Sequence, residues 1–145
     1  MATCAPSLFT ALIHTEIGAW NAVESALSEA DNALTLGRFL VLRTVRDTPA
    51  CRIQEVAASQ GITLGAASRL VDRLHRDGLL HRTPCKHDRR ATILTVTEQG
   101  LAHLDEACMI VEKEQERLFA PLSTAQREEL TRSLALIAEA AKERA

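Results

Sequence analysis

The chain has 145 residues, a length at which one hydrophobic core typically organises a single domain or two small lobes. Its composition, 46% hydrophobic and 25% charged without a low-complexity tract, excludes a disordered or fibrous protein. It contains no apolar run of the roughly 18 residues that a membrane span needs and no signal-peptide pattern, so we expect a cytoplasmic protein without a membrane partner.

The net charge of −2 is unevenly distributed along the chain. Residues 63–90 carry seven basic and three acidic side chains, a local charge of +4, and the rest of the chain carries −6. A basic block on an acidic chain favours a surface that binds a polyanion, although a solvated helix face shows the same pattern. The four cysteines have irregular spacings without a CxxC pair, and we expect them to be reduced thiols.

The first half of the chain predicts four helices. A long helix from Ser7 to about Ala30 has an apolar stripe with helical period, formed by Phe9, Ile13, Ile17, Trp20, Val23 and Leu27. A second helix is capped by Thr35 and ends before "DTP" at 47–49, and a third covers "IQEVAASQ". A fourth runs from about Leu64 to Asp77, with Thr63 as its N-cap and Gly78 as its stop.

The second half predicts a hairpin followed by two helices. "LLHRTP" and "ATILTVT" read as two strands separated by the charged tip "CKHDRR". "TVTEQG" opens a long helix that ends at Pro121, with a coiled-coil-like seam at Leu101, Leu104, Cys108, Val111, Gln115 and Leu118. Ser123 and Gln126 form a capping box for the last helix, whose seam is Leu130, Leu134, Ile137 and Ala141. Such stripes at both ends of the chain favour a helical dimer interface over packing within one protomer.

"IQEVAASQGITLGAASRLVDRL" has the features of a helix-turn-helix: a small residue at Ala57, a turn at Gly61 and a plug at Ile62. On the following helix the buried stripe is predicted to be Ala67, Leu70, Val71 and Leu74. The opposite face carries Gly65, Ser68, Arg69, Asp72, Arg73 and Arg76, where small residues permit close approach to DNA and the arginines reach guanine or phosphate. A hairpin directly after such a recognition helix is typical of a wing.

"PCKHDRR" at 84–90 permits chemical interpretations as well. Cys85, His87 and Asp88 lack the further ligand and rigid geometry of a metal site, and no nucleophile stands beside a base. Cys85 is a redox candidate because neighbouring cations favour the thiolate, although an idle exposed thiol fits too. At a wing tip, Arg89 and Arg90 suit a narrow minor groove.

These pieces resemble the MarR family of bacterial winged helix-turn-helix regulators. The matching segments are "LT" at 34–35, "VDRLHRDGLLHR" at 71–82, "DRR" at 88–90, "TVTEQG" at 95–100 and "LSTAQREEL" at 122–130. The resemblance implies that Asp88 orients Arg90 into the minor groove and that the first and last helices form a homodimer on a pseudo-palindrome. It also implies a pocket for a small phenolic or carboxylic effector, for which His14, Trp20 and Arg43 are candidates.

The predicted fold is mainly α with a small two- or three-stranded β-wing. Residues 35–96 form the winged helix-turn-helix lobe, and residues 1–34 and 97–145 supply the dimerisation helices. The predicted function is a dimeric, sequence-specific transcriptional repressor without a cofactor, metal or catalytic site, released by a small ligand or an oxidant. The alternative is a helical adaptor that binds an acidic partner protein. The predicted DNA-binding residues are Thr63, Gly65, Ala66, Ser68, Arg69, Arg73, Arg76, Arg82, Lys86, His87, Asp88, Arg89 and Arg90.

Overall fold

The computed structural model describes residues 7–86 and 88–143, and for residues 88–90 it describes the backbone alone. Over these residues the chain forms six helices and one two-stranded antiparallel sheet, as the sequence predicts. The elements are α1 (Leu8–Glu29), α2 (Leu36–Asp47), α3 (Ile53–Gln60), α4 (Leu64–Arg76), β1 (Leu80–Cys85), β2 (Asp88–Val96), α5 (Glu98–Phe119) and α6 (Thr124–Lys142). No helix among these is long and apolar enough to cross a membrane.

Most helices begin at a hydroxyl side chain that accepts a hydrogen bond from a backbone N–H of the first turn. The predicted caps Thr35, Thr63 and Ser123 are confirmed, and Gln126 completes the capping box with the Ser123 backbone N–H. Gly61 and Gly78 end their helices with φ of 62° and 75°, a left-handed backbone that favours glycine. These helix ends can be predicted from the sequence because each is set by contacts among a few neighbouring residues.

The wing has a shorter tip than the sequence predicts. Cys85 pairs with Asp88, so that only residues 86–87 lie between the strands and the charged residues 88–90 belong to β2. The register shifts between Pro84 and Cys85, where proline supplies no N–H to the ladder. The low strand propensity of these charged residues predicts that they lie in the tip. Pairing with β1 overrides this propensity and extends β2 over them.

The core lies between α1, α2, α4 and α5. Its members include Leu27, Phe39, Leu42, Val71, Leu74 and Leu104, and Leu80 and Leu94 of the wing belong to the same cluster. On α5, Leu104 and Val111 are 0% and 4% exposed within one protomer, and Cys108 and Leu118 are partly buried against the same core. The prediction that this seam forms the dimer interface is therefore wrong for Leu104 and Val111, which are covered by the core of their own protomer. A helical period indicates that one face is covered, but it does not identify the surface that covers it.

A polar contact and a close backbone approach join the wing to α5. The Thr97 hydroxyl donates to the Gly78 carbonyl oxygen (2.7 Å) and accepts from the Gly100 N–H (2.9 Å). A Cβ atom at Gly100 would collide with the Leu79 carbonyl oxygen and with a methyl group of Val96. In the segment "TVTEQG", Thr97 therefore caps α5, and Gly100 allows α5 to pass close to the backbone that follows α4.

Candidate nucleic-acid interface

The helix-turn-helix is formed by α3 and α4 as predicted. Ala57 is buried at the crossing of the two helices, and its carbonyl oxygen accepts from the Ile62 N–H (3.1 Å) across the Gly61 turn. Ile62 packs against the core, and Thr63 accepts from the Ala66 N–H (3.2 Å) to start α4. The turn therefore sets the direction of α4 through contacts that involve little more than six consecutive residues.

The two faces of α4 differ sharply in polarity and burial. Ala67, Val71 and Leu74 are buried, and Leu70 is half-buried against them. The outward face carries the predicted DNA-binding residues, of which Gly65, Arg69, Arg73 and Arg76 are exposed and Ala66 and Ser68 half-buried. The Arg69 side chain donates from Nε to the Gly65 carbonyl oxygen (3.3 Å), which places its guanidinium near the start of the helix. A row of cations thus extends along one side of α4.

Two ion pairs tie α4 to its neighbours. Arg82 of β1 pairs with Asp72 in the C-terminal half of α4, and Arg38 of α2 pairs with Asp77, the C-cap of α4. Arg82, predicted to contact DNA, therefore has its guanidinium occupied by a carboxylate of the same chain. The sequence holds no local signal for this pairing, since the two residues lie ten positions apart and meet only when the wing folds back on α4.

A groove of about 480 Å³ runs beside the start of α4 and the middle of β2. It is lined by Arg52, Ile53, Gln54, Leu64, Ser68, Ala91 and Thr92. Arg52 and Gln54 were not among the predicted site residues, although they stand at the start of the first helix of a helix-turn-helix, which crosses the DNA backbone in such modules. Nearby, the Leu94 N–H donates to the Cys51 carbonyl oxygen (2.8 Å). This hydrogen bond holds β2 against the residues that precede α3.

A family model fits this part of the chain. The model for the MarR family matches residues 34–92, the segment from the end of the α1–α2 loop into β2 that contains the helix-turn-helix and most of the wing. Residues 34–92 are thus similar to the MarR family. Members of this family are transcriptional regulators with a DNA-binding winged helix, not enzymes.

Similar proteins agree with this match to the MarR family. The transcriptional repressor CouR, solved bound to a 23-mer DNA duplex, is 29% identical, with a TM-score of 0.85 over 95% of this chain and 96% of that one. The repressor IacR of Pseudomonas putida is 27% identical over 79% of this chain and 68% of its own length. BpsR of Bordetella bronchiseptica, whose DNA binding is regulated by 6-hydroxynicotinic acid, shares the fold, with a TM-score of 0.85 at 22% identity over 95% of this chain and 97% of that one.

At the tip of the wing, part of the predicted site lies outside the described residues. His87 and the side chains of Asp88, Arg89 and Arg90 belong to that part, so the brace between Asp88 and Arg90 stays a prediction. Lys86 is exposed, and Cys85 is a free, half-buried thiol. Among the side chains that the structure does describe, no three His, Cys, Asp or Glu residues cluster as a metal site would require.

The predicted effector residues lie in two places. Arg43 stacks over the Phe39 ring, 5.4 Å from its centroid, and lines a groove of about 440 Å³ between α2 and α3. His14 and Trp20 are exposed on α1. Asp47 borders the same groove, and its ion pair with Arg46 holds the pKa of the Asp47 carboxyl below its usual range. Arg43 therefore faces α3, and a pocket that includes all three residues is not formed by the described residues of one protomer.

Proposed function

We propose that this protein is a member of the MarR family and a homodimeric repressor that binds a pseudo-palindromic operator. The observation that carries the proposal is the cationic outer face of α4 directly beside the wing. In a helix-turn-helix the second helix lies in the major groove, where arginine reads guanine and small residues permit close approach. Arg69, Arg73 and Arg76 are placed to contact base edges or phosphates, and Ser68 and Gly65 to bring the helix start close to the duplex.

The wing supplies the second part of the proposed interface. Lys86 is exposed at its tip, and Arg89 and Arg90 follow in β2. Narrow minor grooves attract inserted guanidinium groups because their negative potential is enhanced. We assign Arg90 as the principal wing contact, with Thr63, Ala66, His87, Asp88 and Arg89 in supporting positions around the two grooves.

Dimerisation is supported by the surface of α6. None of the 19 residues of this described helix is buried, although one side of it carries the apolar residues Leu130, Leu134 and Ile137. In proteins, a helix gains most of its stability from packing of its apolar face rather than from helix propensity. Apolar residues of α1, Phe9, Ile17 and Trp20, are also exposed. Residues 1–34 and 97–145 are therefore proposed to pair with a second copy, while residues 35–96 bind DNA.

Release by a small phenolic or carboxylic compound is the regulatory part of the proposal. BpsR responds to an aromatic carboxylic acid, and the half-exposed indole of Trp20 and the guanidinium of Arg43 have the chemistry to stack on and pair with such a ligand. His14 and a pocket completed by the second copy would contribute as well. Oxidation at Cys85 is the alternative signal, since this free thiol is followed directly by Lys86, and neighbouring cations favour the reactive thiolate.

Selection of bound duplexes from a random pool tests the proposed function. The wild-type protein should enrich one inverted repeat and should bind it on the order of a thousandfold more tightly than random duplex at physiological salt. Binding should weaken steeply with salt, because cations on α4 and the wing release counterions from the phosphates. Equal binding to all duplexes, or enrichment of none, would instead favour an adaptor that uses the basic lobe to bind an acidic protein.

A further inference from the structure

Arg82 differs from the other arginines of the basic block in its surroundings. Its side chain is 28% exposed, and its guanidinium pairs with the Asp72 carboxylate, which is itself 46% exposed. Arg69, Arg73 and Arg76 are exposed on the outer face of α4. A guanidinium that binds a carboxylate must break that pair before it can bind a phosphate. Arg82 is therefore the least suited of these four arginines to contact DNA directly.

The pair joins the two parts of the interface that must fit different grooves. Asp72 lies in the C-terminal half of α4, and Arg82 stands in β1, which leads to the wing tip. A second hydrogen bond, from the His75 Nδ1 atom to the Leu80 carbonyl oxygen (2.9 Å), connects the same two elements nearer the end of α4. The two polar bridges therefore lie within one turn of each other in the C-terminal half of α4, where together they resist a rotation of the wing about the helix.

We infer that Arg82 is a positioning residue, which holds the wing at a fixed angle to α4 through Asp72 so that both grooves are engaged together. The inference rests on the proposed function and deepens it. Asp72 has a corresponding role, because its ion pair fixes the position of the wing cations relative to the arginines of α4. This role accounts for a negative charge on the face that is proposed to meet DNA. Discrimination between operator and random duplex then depends on an ion pair that contacts no base.

Three variants test this inference: Asp72→Asn, Arg82→Ala and the double variant. The measured quantity is the ratio of the dissociation constants for random duplex and selected operator, because the general attraction of DNA for the changed net charge cancels in that ratio. An ion pair of this exposure has a free energy that corresponds to about two- to fivefold in an equilibrium constant. Each single variant should lower the ratio by about that factor, and the double variant should lower it no further, since either change removes the whole pair.

Salt dependence distinguishes a positioning residue from a DNA contact. Loss of one phosphate contact reduces the slope of log affinity against log salt by about 0.9, whereas loss of the ion pair leaves that slope unchanged. Arg82→Lys, which keeps a charge that can meet Asp72, should restore part of the ratio. Arg73→Ala serves as the comparator for a direct contact, and thermal unfolding checks that each variant folds.

Several results would overturn the inference. In Arg82→Ala a slope reduced by about 0.9, together with undiminished discrimination in Asp72→Asn, would make Arg82 a phosphate contact. Unchanged ratios in both single variants, or additive losses in the double variant, would show that the pair does not couple the wing to α4. If the wild-type protein already fails to prefer any duplex, the proposed function fails first and this inference fails with it.

Discussion

Gly100 lies where α5 passes the backbone that follows α4, and it has no room for a side chain. A Cβ atom there would meet the Leu79 carbonyl oxygen, which is held in place because it accepts from the Thr97 N–H (3.1 Å). A backbone atom fixed in this way cannot shift as the end of a flexible side chain can. The glycine of "TVTEQG" is therefore required by packing rather than by its backbone angles.

Gly100→Ala should lower the free energy of unfolding by about 1 to 3 kcal/mol, the usual cost of forcing extra atoms into a packed site. The matched control is Gly37→Ala, because a Cβ atom at that helical glycine meets nothing within 4 Å. It should be neutral or stabilise by up to about 1 kcal/mol. Urea unfolding at one fixed protein concentration measures both, and equal stability of the two variants would contradict this account of Gly100.

Arg73 represents the residues proposed to contact DNA directly. If it binds a phosphate, Arg73→Ala should weaken binding to all duplexes and reduce the salt slope by about 0.9. If it reads a guanine, the change should cost about 1 to 3 kcal/mol on the operator and relax the preference at one base pair. Arg117→Ala is the control, because Arg117 pairs with Glu114 on α5 rather than lying on α4. Titrations at several salt concentrations that show no change for Arg73→Ala would mean that the recognition face is misassigned.

At the scale of elements, what the sequence can predict depends on how local the cause is. The caps Thr35, Thr63 and Ser123 act within three residues, and the sequence predicts these helix starts correctly. The pairing of Arg82 with Asp72 requires the wing to fold back on α4, and no local pattern contains that information. The sequence therefore places the basic residues on the right elements but cannot separate those that face solvent from those that are already paired.

The two C-terminal helices show the same limit for apolar patterns. The α5 and α6 seams have similar helical spacing, yet Leu104 is fully buried in its own protomer whereas Leu134 is 41% exposed. Periodicity identifies a covered face, and only the tertiary arrangement decides which surface covers it. In α5 that surface is the protomer's own core, and for α6 it is proposed to be the second copy.

At the scale of the whole molecule, the exposed face of α6 is the part of the proposed dimer most open to test. Leu134→Glu should convert the dimer to monomer at micromolar concentration, since it places a charge in an apolar interface. Leu136→Glu is the control of identical chemistry, because two residues further on lie about 200° round the helix. Sedimentation measures the mass, and the emission of Trp20, the only tryptophan, should shift to the red in the monomer. A monomeric wild-type protein that binds its operator with full affinity would refute the dimer.

The central claim is that two copies of this chain place two α4 helices on one duplex. Sedimentation equilibrium of the protein on its selected operator measures this directly. We expect two chains per duplex, with half-sites whose centres lie about one helical turn, or 10 base pairs, apart, and a single half-site should bind far more weakly. A complex of one chain per duplex at full affinity, or undiminished binding to a lone half-site, would contradict the claim.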